Sequence, residues 1–313
     1  MKDSPKFLKY SILILNYNGE EFLTRCIEST LEAMKHSSHA GELIVVDNAS
    51  TDSSLDILNS FRQRIRVISM KENLVLCAYN HAVKEAYGEI LILLNNDEYI
   101  ANDFLDAVIK PFENNPEMFL VIPKTVDEGT GKYQAGLLDV EFKRGHFWLI
   151  QDFSIAESSS ASPRSLGCLG AYRKTAFIQL GGFEPLYLPF YWEDADLSYR
   201  AAKCGWKILF EPQAVTEHLG QGTISKFIPA RVRQVNRRNK LLFFYLNATD
   251  PILWFQHFCF FPLFLLQSLL KQRTLDYLLG WFWIIARLPH IFKVRHHRGL
   301  EFQLEDSRML RKQ

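Results

Sequence analysis

Residues 88–100 read Gly88-Glu89-Ile90-Leu91-Ile92-Leu93-Leu94-Asn95-Asn96-Asp97-Glu98-Tyr99-Ile100. Ile90 to Leu94 is a continuous apolar run bounded by polar residues. Such a run predicts a strand buried on both faces, as in the middle of a parallel sheet. It stops abruptly at Asn95-Asn96-Asp97-Glu98. In open α/β sheets, ligands bind outside the carboxyl ends of the strands. An acid cluster at that place is either a site for a cation and the phosphates it holds, or a polar turn that ends a strand. Taken alone, the stretch leaves both readings open.

The chain on either side extends the pattern. Tyr10 to Leu15 predicts a first strand, ending in Asn16-Tyr17-Asn18-Gly19. Residues 20–36 have helical spacing, with Phe22, Cys26, Ile27 and Leu31 on one face. Glu42 to Val46 predicts a second strand, ending in Asp47-Asn48-Ala49-Ser50-Thr51-Asp52. Ser50 or Thr51 is the expected cap of the next helix. Arg66 to Met70 is a third strand and residues 74–87 a helix, before the strand at 90–94. This alternation predicts an α/β fold, a mostly parallel open sheet flanked by helices. Farther on, the pattern predicts a helix at 104–114, a strand at 118–123 and a hairpin region at 131–153. The serine-rich stretch 158–163 reads as a loop. A helix near 174–180 ends at Gly181-Gly182, another covers 193–204, and a strand follows at 206–210.

Composition limits the function classes. Of 313 residues, 48% are hydrophobic and 23% charged, ordinary for a globular chain long enough for one large domain and an appendage. Five scattered cysteines (Cys26, Cys77, Cys168, Cys204, Cys259) form no C-x-x-C pair. That pattern suggests neither a disulfide framework nor a zinc site, and a reducing, cytosolic setting is expected. The apolar run near the N-terminus is too short for a signal peptide. The net charge of +1 hides an asymmetry: from Lys226 onward there are 15 basic and 5 acidic residues, against 21 and 30 before it. We therefore divide the chain into a body, residues 1–225, and a basic, aromatic tail, residues 226–313.

Three strand ends carry acid- or amide-rich turns, and three such turns on one sheet edge converge on one cleft. Asp47 is placed to accept hydrogen bonds from a ribose or base. Asp97 is placed to hold Mg²⁺ or Mn²⁺, which prefer oxygen ligands and take one or two carboxylates plus substrate phosphates. Neither G-x-x-x-x-G-K-[ST] nor G-x-G-x-x-G occurs, so no glycine loop is available to cradle a diphosphate. Trp192-Glu193-Asp194-Ala195-Asp196 sets three carboxylates at a helix start, after the aromatic Phe190-Tyr191. A carboxylate there suits a general base, with an aromatic wall beside it for a sugar.

The ordered set ILNYN, IVVDNASTD, ILILLNND, a glycine pair with Phe183, and YWEDADLSYR resembles the family-2 glycosyltransferases of the A-type, Rossmann-like nucleotide-sugar fold, most closely their rhamnosyltransferase-like branch. The resemblance covers roughly residues 8–225. It implies that Asn16, Tyr17 and Asn18 line the nucleotide base and that Asp47 contacts base or ribose. Asn73, Asn80 and Asn96 fall at donor-binding positions, although Leu74-Val75 replaces the family's usual glycine step. Asp97 matches the last acid of the Asp-x-Asp metal motif. Asn95 holds the first position, so metal binding rests on one carboxylate. His218 matches a histidine that completes the metal site in some relatives. Asp194 takes the place of the catalytic base and Glu193 a sugar-contacting position. The implied reaction is inverting transfer of a sugar from dTDP-rhamnose or a UDP-sugar to a lipid-linked or polysaccharide acceptor. A nucleotidyltransferase and a non-catalytic membrane scaffold of the same fold are the alternatives.

The tail adds a location. Arg231, Arg233, Arg237, Arg238 and Lys240 recur at helical spacing, and Ile252 to Leu270 is 19 residues without a charge. Gln256, His257, Pro262 and Gln267 inside that run favour a helix lying in an interface over a simple span. We expect peripheral association with an anionic membrane surface, on the cytoplasmic inner face, rather than a nucleic-acid partner. The alternative is a helical subdomain packed on the body or on a second subunit of a homodimer.

Overall fold

The computed structural model describes residues 8–151, 160–161, 166–167, 169–219, 228–271, 273–299 and 301–310. The N-terminal half alternates as expected: β1 (Tyr10–Asn16), α1 (Glu20–His36), β2 (Gly41–Asp47), α2 (Ser54–Ser60), β3 (Arg66–Ser69), α3 (Tyr79–Glu85), β4 (Ile90–Asn95) and β5 (Glu98–Ile100). A single 3₁₀ turn, Val75–Ala78, replaces the first turn of the helix expected at 74–87. Neither Ser50 nor Thr51 caps α2. That helix begins at Ser54, after Ser53, and Ser50 instead bonds to the turn after β1.

Then follow α4 (Phe104–Glu113), β6 (Met118–Asp127), β7 (Tyr133–Ala135), the hairpin β8 (Leu138–Lys143) and β9 (His146–Gln151), β10 (Ser160–Ala161), β11 (Gly170–Arg173), α5 (Lys174–Gln179), α6 (Glu193–Lys203) and β12 (Lys207–His218). Of the serine-rich stretch 158–163, only the two residues of β10 are described, and they pair with β12. The sheet order is β10-β12-β6-β11-β4-β1-β2-β3. The block β4-β1-β2-β3 is parallel, and so is the β6–β12 pair. The sheet is nevertheless mixed, because β11 runs antiparallel between β4 and β6. Four residues that include Gly170 and Arg173 are too short a pattern to announce a strand.

The pleat sends alternate β-residues to opposite faces. Ile12 and Ile14 face α1 and α4, burying Leu23, Ile27, Phe104, Val108 and Phe112. Leu13, Leu91 and Leu93 face the other core, with Tyr79, Phe177, Phe183, Leu197 and Tyr199. Each such side chain contributes roughly 1.5–3 kcal/mol of burial free energy.

The tail forms α7 (Pro229–Asn247), α8 (Pro251–Leu270), α9 (Asp276–Ile285), α10 (Leu288–Gly299) and α11 (Asp306–Met309). Its first helix belongs to the second core. Leu241, Leu242, Phe243, Phe244 and Leu246 are buried with the body residues named above. The Phe243 ring meets Trp192 and Tyr199 at 5.1 and 5.2 Å between centroids. By contrast α8 rests on the protein by one stripe, Leu253, His257, Phe261 and Ser268. Much of its remaining surface, including Phe255, Phe258, Leu263 and Leu266, is exposed. Composition and length alone would let α8 cross a membrane.

Candidate active site

The parallel register aligns Asn16 at the end of β1 with Asp47 at the end of β2, and Leu15 with Asn95 of β4. Three turns therefore start at one level, and Asn16 ties them together. Its amide nitrogen donates to Asp47 Oδ1 and Ser50 Oγ, both at 3.1 Å, and its amide oxygen accepts from Asn96 Nδ2 at 2.7 Å. Asn16 is fully buried, so its polar groups are spent on holding the neighbouring turns. A Cβ on Gly19 would lie 1.8 Å from Asn96 Nδ2. A side chain there would displace the Asn96 amide that bonds to Asn16. Asn18 accepts from the Thr51 backbone at 2.7 Å, and Tyr17 stands half-buried between these residues.

Asp47 is 2% exposed and also accepts from the Ser50 backbone. Next to it, Asn48 donates to Asn73 Oδ1 at 2.8 Å and accepts from the Leu74 backbone at 3.0 Å. Asn48 thereby fixes the loop that carries Asn73. No sequence pattern marks Asn48 for this role, because one amide among many in a turn is not distinctive. Asn80 lies elsewhere: its amide donates to the Phe183 carbonyl at 2.8 Å and accepts from the Phe183 N–H at 2.9 Å. It clamps the glycine pair, where Gly182 has φ +67° and a Cβ would come within 2.2 Å of Asn80 Oδ1.

Strand pairing brings the two expected metal ligands together. His218 stands opposite Glu98 where β12 pairs with β5, and its Nε2 lies 3.2 Å from Asp97 Oδ2. The Nδ1 side meets Gln134 Oε1 at 2.7 Å, which orients the ring. The bond to Asp97 raises the His218 pKa, outweighing burial. Glu98 faces inward and accepts from the Asn95 N–H at 2.8 Å, and burial pushes its carboxyl up to about 7. The described residues contain no group of three or more His, Cys, Asp or Glu side chains able to hold a metal. The pair Asp97 and His218 fits Mg²⁺ or Mn²⁺ as a partial shell, with nucleotide phosphates supplying other ligands.

The carboxylates at 193–196 divide by environment. Asp194 is half-buried at the start of α6. Glu193 is 7% exposed, and its Oε2 is buried without a hydrogen-bond partner in the described structure. Burial, with Asp194 adding, raises its pKa well above the carboxylate range. Asp196 is fully buried and meets Arg200 Nε at 2.8 Å, Arg298 Nη1 at 2.8 Å, Asn247 Nδ2 at 2.7 Å and the Tyr187 hydroxyl at 3.0 Å. Burial alone would raise its pKa, but Arg298 and Arg200 outweigh it and hold it below the ordinary value.

The turn before α6 is strained. Tyr191 and Trp192 have φ of 72° and 78°, a left-handed conformation that costs non-glycine residues on the order of 1–3 kcal/mol each. The tail holds it. Asn239 Nδ2 lies 2.6, 2.8 and 2.9 Å from the carbonyls of Tyr187, Phe190 and Tyr191, and Asn236 accepts from Trp192 Nε1 at 2.8 Å. No sequence pattern identified these two asparagines, which lie within a basic helical repeat.

Three comparisons with known proteins bear on this arrangement. The family described as Glycosyl transferase family 2 matches residues 11–177, a stretch holding Asn16, Asp47, Asn73, Asn80 and Asp97 and ending before Glu193 and His218. A poly(ribitol-phosphate) beta-glucosyltransferase of Bacillus spizizenii is 35% identical over 104 residues, 31% of this chain and 16% of that protein. A dolichyl N-acetyl-alpha-D-glucosaminyl phosphate 3-beta-D-2,3-diacetamido-2,3-dideoxy-beta-D-glucuronosyltransferase of Methanococcus voltae is 22% identical over 304 residues, 91% of this chain and 88% of that one. The chain thus spans less than a fifth of the first relative and most of the second. Among solved structures, GalNAc-T7 with UDP, GalNAc and Mn²⁺ superposes with a TM-score of 0.59 at 17% identity, over 79% of this chain and 49% of that one. That likeness is one of fold.

Proposed function

Because the chain belongs to glycosyl transferase family 2, we propose that it transfers one sugar, with inversion, from a nucleoside-diphosphate donor to a lipid-linked or polymeric acceptor. The donor is dTDP-rhamnose or a UDP-sugar, as the rhamnosyltransferase-like motifs imply. The observation that carries the reading is the convergence of three strand-end turns on Asn16, beside the Asp97–His218 pair. The relatives' names support both acceptor types: one acts on poly(ribitol-phosphate), the other on a dolichyl-phosphate-linked sugar.

The chemistry falls to the chain's own groups. Asp47, Asn73 and Asn96 with Tyr17 and Asn18 form the donor side, positioned by Asn16 and Asn48. Asp194 accepts the proton of the acceptor hydroxyl as that oxygen bonds to the anomeric carbon and the nucleoside diphosphate departs. Burial and the neighbouring Asp194 both disfavour the charged form of Glu193. Mg²⁺ or Mn²⁺ at Asp97 and His218, when bound, supplies positive charge to the departing diphosphate. The exposed apolar surface of α8 and α9 with the tail's cations supports a peripheral position on the cytoplasmic face of an anionic membrane.

The direct test is Asp194→Asn. Transfer, followed as release of nucleoside diphosphate in the presence of acceptor, should fall by roughly 10²–10⁴, while UDP or dTDP affinity by calorimetry stays within twofold. Retained transfer would remove Asp194 from the role of base.

A further inference from the structure

The tail helices treat their arginines unequally. Arg233 and Arg237 both reach Asp276 Oδ2, at 2.7 and 3.1 Å, and Arg298 reaches Asp196 and Glu184. Three other guanidiniums, those of Arg231, Arg238 and Arg287, have no carboxylate within ion-pair distance among the described residues. Arg231 and Arg238 lie seven residues apart on α7, which is about two helical turns and hence one face. Arg287 follows the end of α9. Two of them lie over the Trp283 ring, with its centroid 4.6 Å from Arg238 Cζ and 4.2 Å from Arg287 Cζ. Arg231 makes one long bond, 3.3 Å to Gln234 Oε1. Arg231 and Arg287 are exposed, and Arg238 is half-buried.

Arg238 links this cluster to the catalytic turn. Its Nη2 donates to the carbonyls of Leu188 at 2.5 Å and Tyr187 at 3.2 Å, and its Nε donates to Asn239 Oδ1 at 2.9 Å. Leu188 and Tyr187 open the loop that leads to Asp194, and Asn239 holds that loop's other carbonyls. Burial, with Arg231 and Arg287 adding, draws the Arg238 pKa down to about 10. The like charges therefore repel one another in this arrangement, and an anion between them would relieve the repulsion. Planar guanidiniums match phosphate oxygens in paired hydrogen bonds, a mode open to the exposed Arg231 and Arg287, while Arg238 gives its Nε and Nη2 to protein acceptors and adds its charge. An apolar surface adjoins the cluster: Leu279, Phe282 and Ile285 on α9 are exposed on the helix that carries Trp283.

We infer that Arg231, Arg238 and Arg287 form a phosphate site for the acceptor, an amphiphile whose apolar chain lies along α9 and whose phosphate seats beside the catalytic loop. This rests on the transferase reading for the word acceptor; the phosphate site itself does not. The phosphate could be that of a polyprenyl carrier or of an ordinary anionic phospholipid, and the site is assigned to the carrier.

The test uses the full chain and vesicles of phosphatidylcholine doped either with polyprenyl monophosphate or with phosphatidylglycerol to equal charge. Wild type should bind the polyprenyl phosphate vesicles more tightly. Arg231→Gln and Arg287→Gln, both at exposed positions, should each weaken that binding about tenfold, the scale of one lost charged hydrogen bond. Binding to phosphatidylglycerol vesicles should change less than threefold. Equal losses on both vesicle types would overturn the carrier assignment in favour of bulk headgroups, and no loss on either would overturn the site. Titration of wild type with UDP and dTDP reads the donor side separately. Failure to bind either nucleotide would remove the transferase reading, whereas nucleotide binding with indifferent variants would remove only the phosphate site.

Discussion

At Asn16 one side chain holds the ends of three strands. Its value lies in being fully used: an alanine there would remove the bonds to Asp47, Ser50 and Asn96 at once, each worth on the order of 1 kcal/mol. His146 shows the opposite case. It is 1% exposed, its Nε2 has no hydrogen-bond partner in the described structure, and its ring lies 4.1 Å from that of Phe264. Burial lowers its pKa to about 3, and His257 from α8 and Lys240 from α7 add to the shift. Below pH 6.5 the unfolded imidazole takes up a proton that the folded one refuses until about pH 3. The unfolded state then binds more protons, so stability falls as pH falls through that window. Urea denaturation between pH 7 and 4 should therefore show a pH slope for wild type that exceeds that of His146→Phe. The excess approaches about 1.4 kcal/mol per pH unit. Equal slopes would mean that His146 is not held neutral.

Among the elements, α7 does two jobs with successive turns. Leu241 to Leu246 complete the core, while Asn236 and Asn239 hold the left-handed turn at Tyr191 and Trp192. The turn aims α6 and hence Asp194, so the tail positions the base without touching the reacting atoms. Asn239→Ala removes the amide shared by three carbonyls. We expect a stability loss of about 2–3 kcal/mol. We also expect kcat to fall at least tenfold with donor affinity preserved, because the turn relaxes toward ordinary backbone angles. Asn239→Asp should not restore activity, since a carboxylate cannot donate to carbonyls. Thermal melts with steady-state kinetics check both, and unchanged kcat in Asn239→Ala would detach the tail from the base.

For the whole molecule, the main asymmetry is the apolar surface of α8 and α9. Phe255, Phe258 and Phe282 are 66%, 60% and 55% exposed, larger and more clustered than scattered surface apolars. One buried stripe holds α8 to the protein, and much of the rest of its surface is exposed and apolar. Changing the three phenylalanines together to serine should reduce flotation with anionic vesicles at least tenfold, while the melting temperature moves by less than a few degrees. Unchanged flotation would assign the surface elsewhere. Deleting the tail after Leu246 is a poorer test, because Phe244 stacks on His257 and meets Trp254 edge-on, and the core would open.

Much of this was legible in the chain itself. Strand and helix periodicity is a local property, so the run at 90–94, the alternation around it and the apolar length of α8 could be read from neighbouring residues. The carboxylates at 97 and 194 stand in short motifs for the same reason, and the basic tail is a matter of composition. What the sequence could not supply were pairings across long separations. The antiparallel β11 at the centre of the sheet is one, and the contact of Gly19 with Asn96 is another. Asp196 meets Arg298 across 102 positions, and Asn239 reaches the catalytic turn across 48–52. Only the folded chain brings these residues within hydrogen-bonding distance. Periodicity shows which face of an element is apolar, but the choice of polar partner depends on three-dimensional packing.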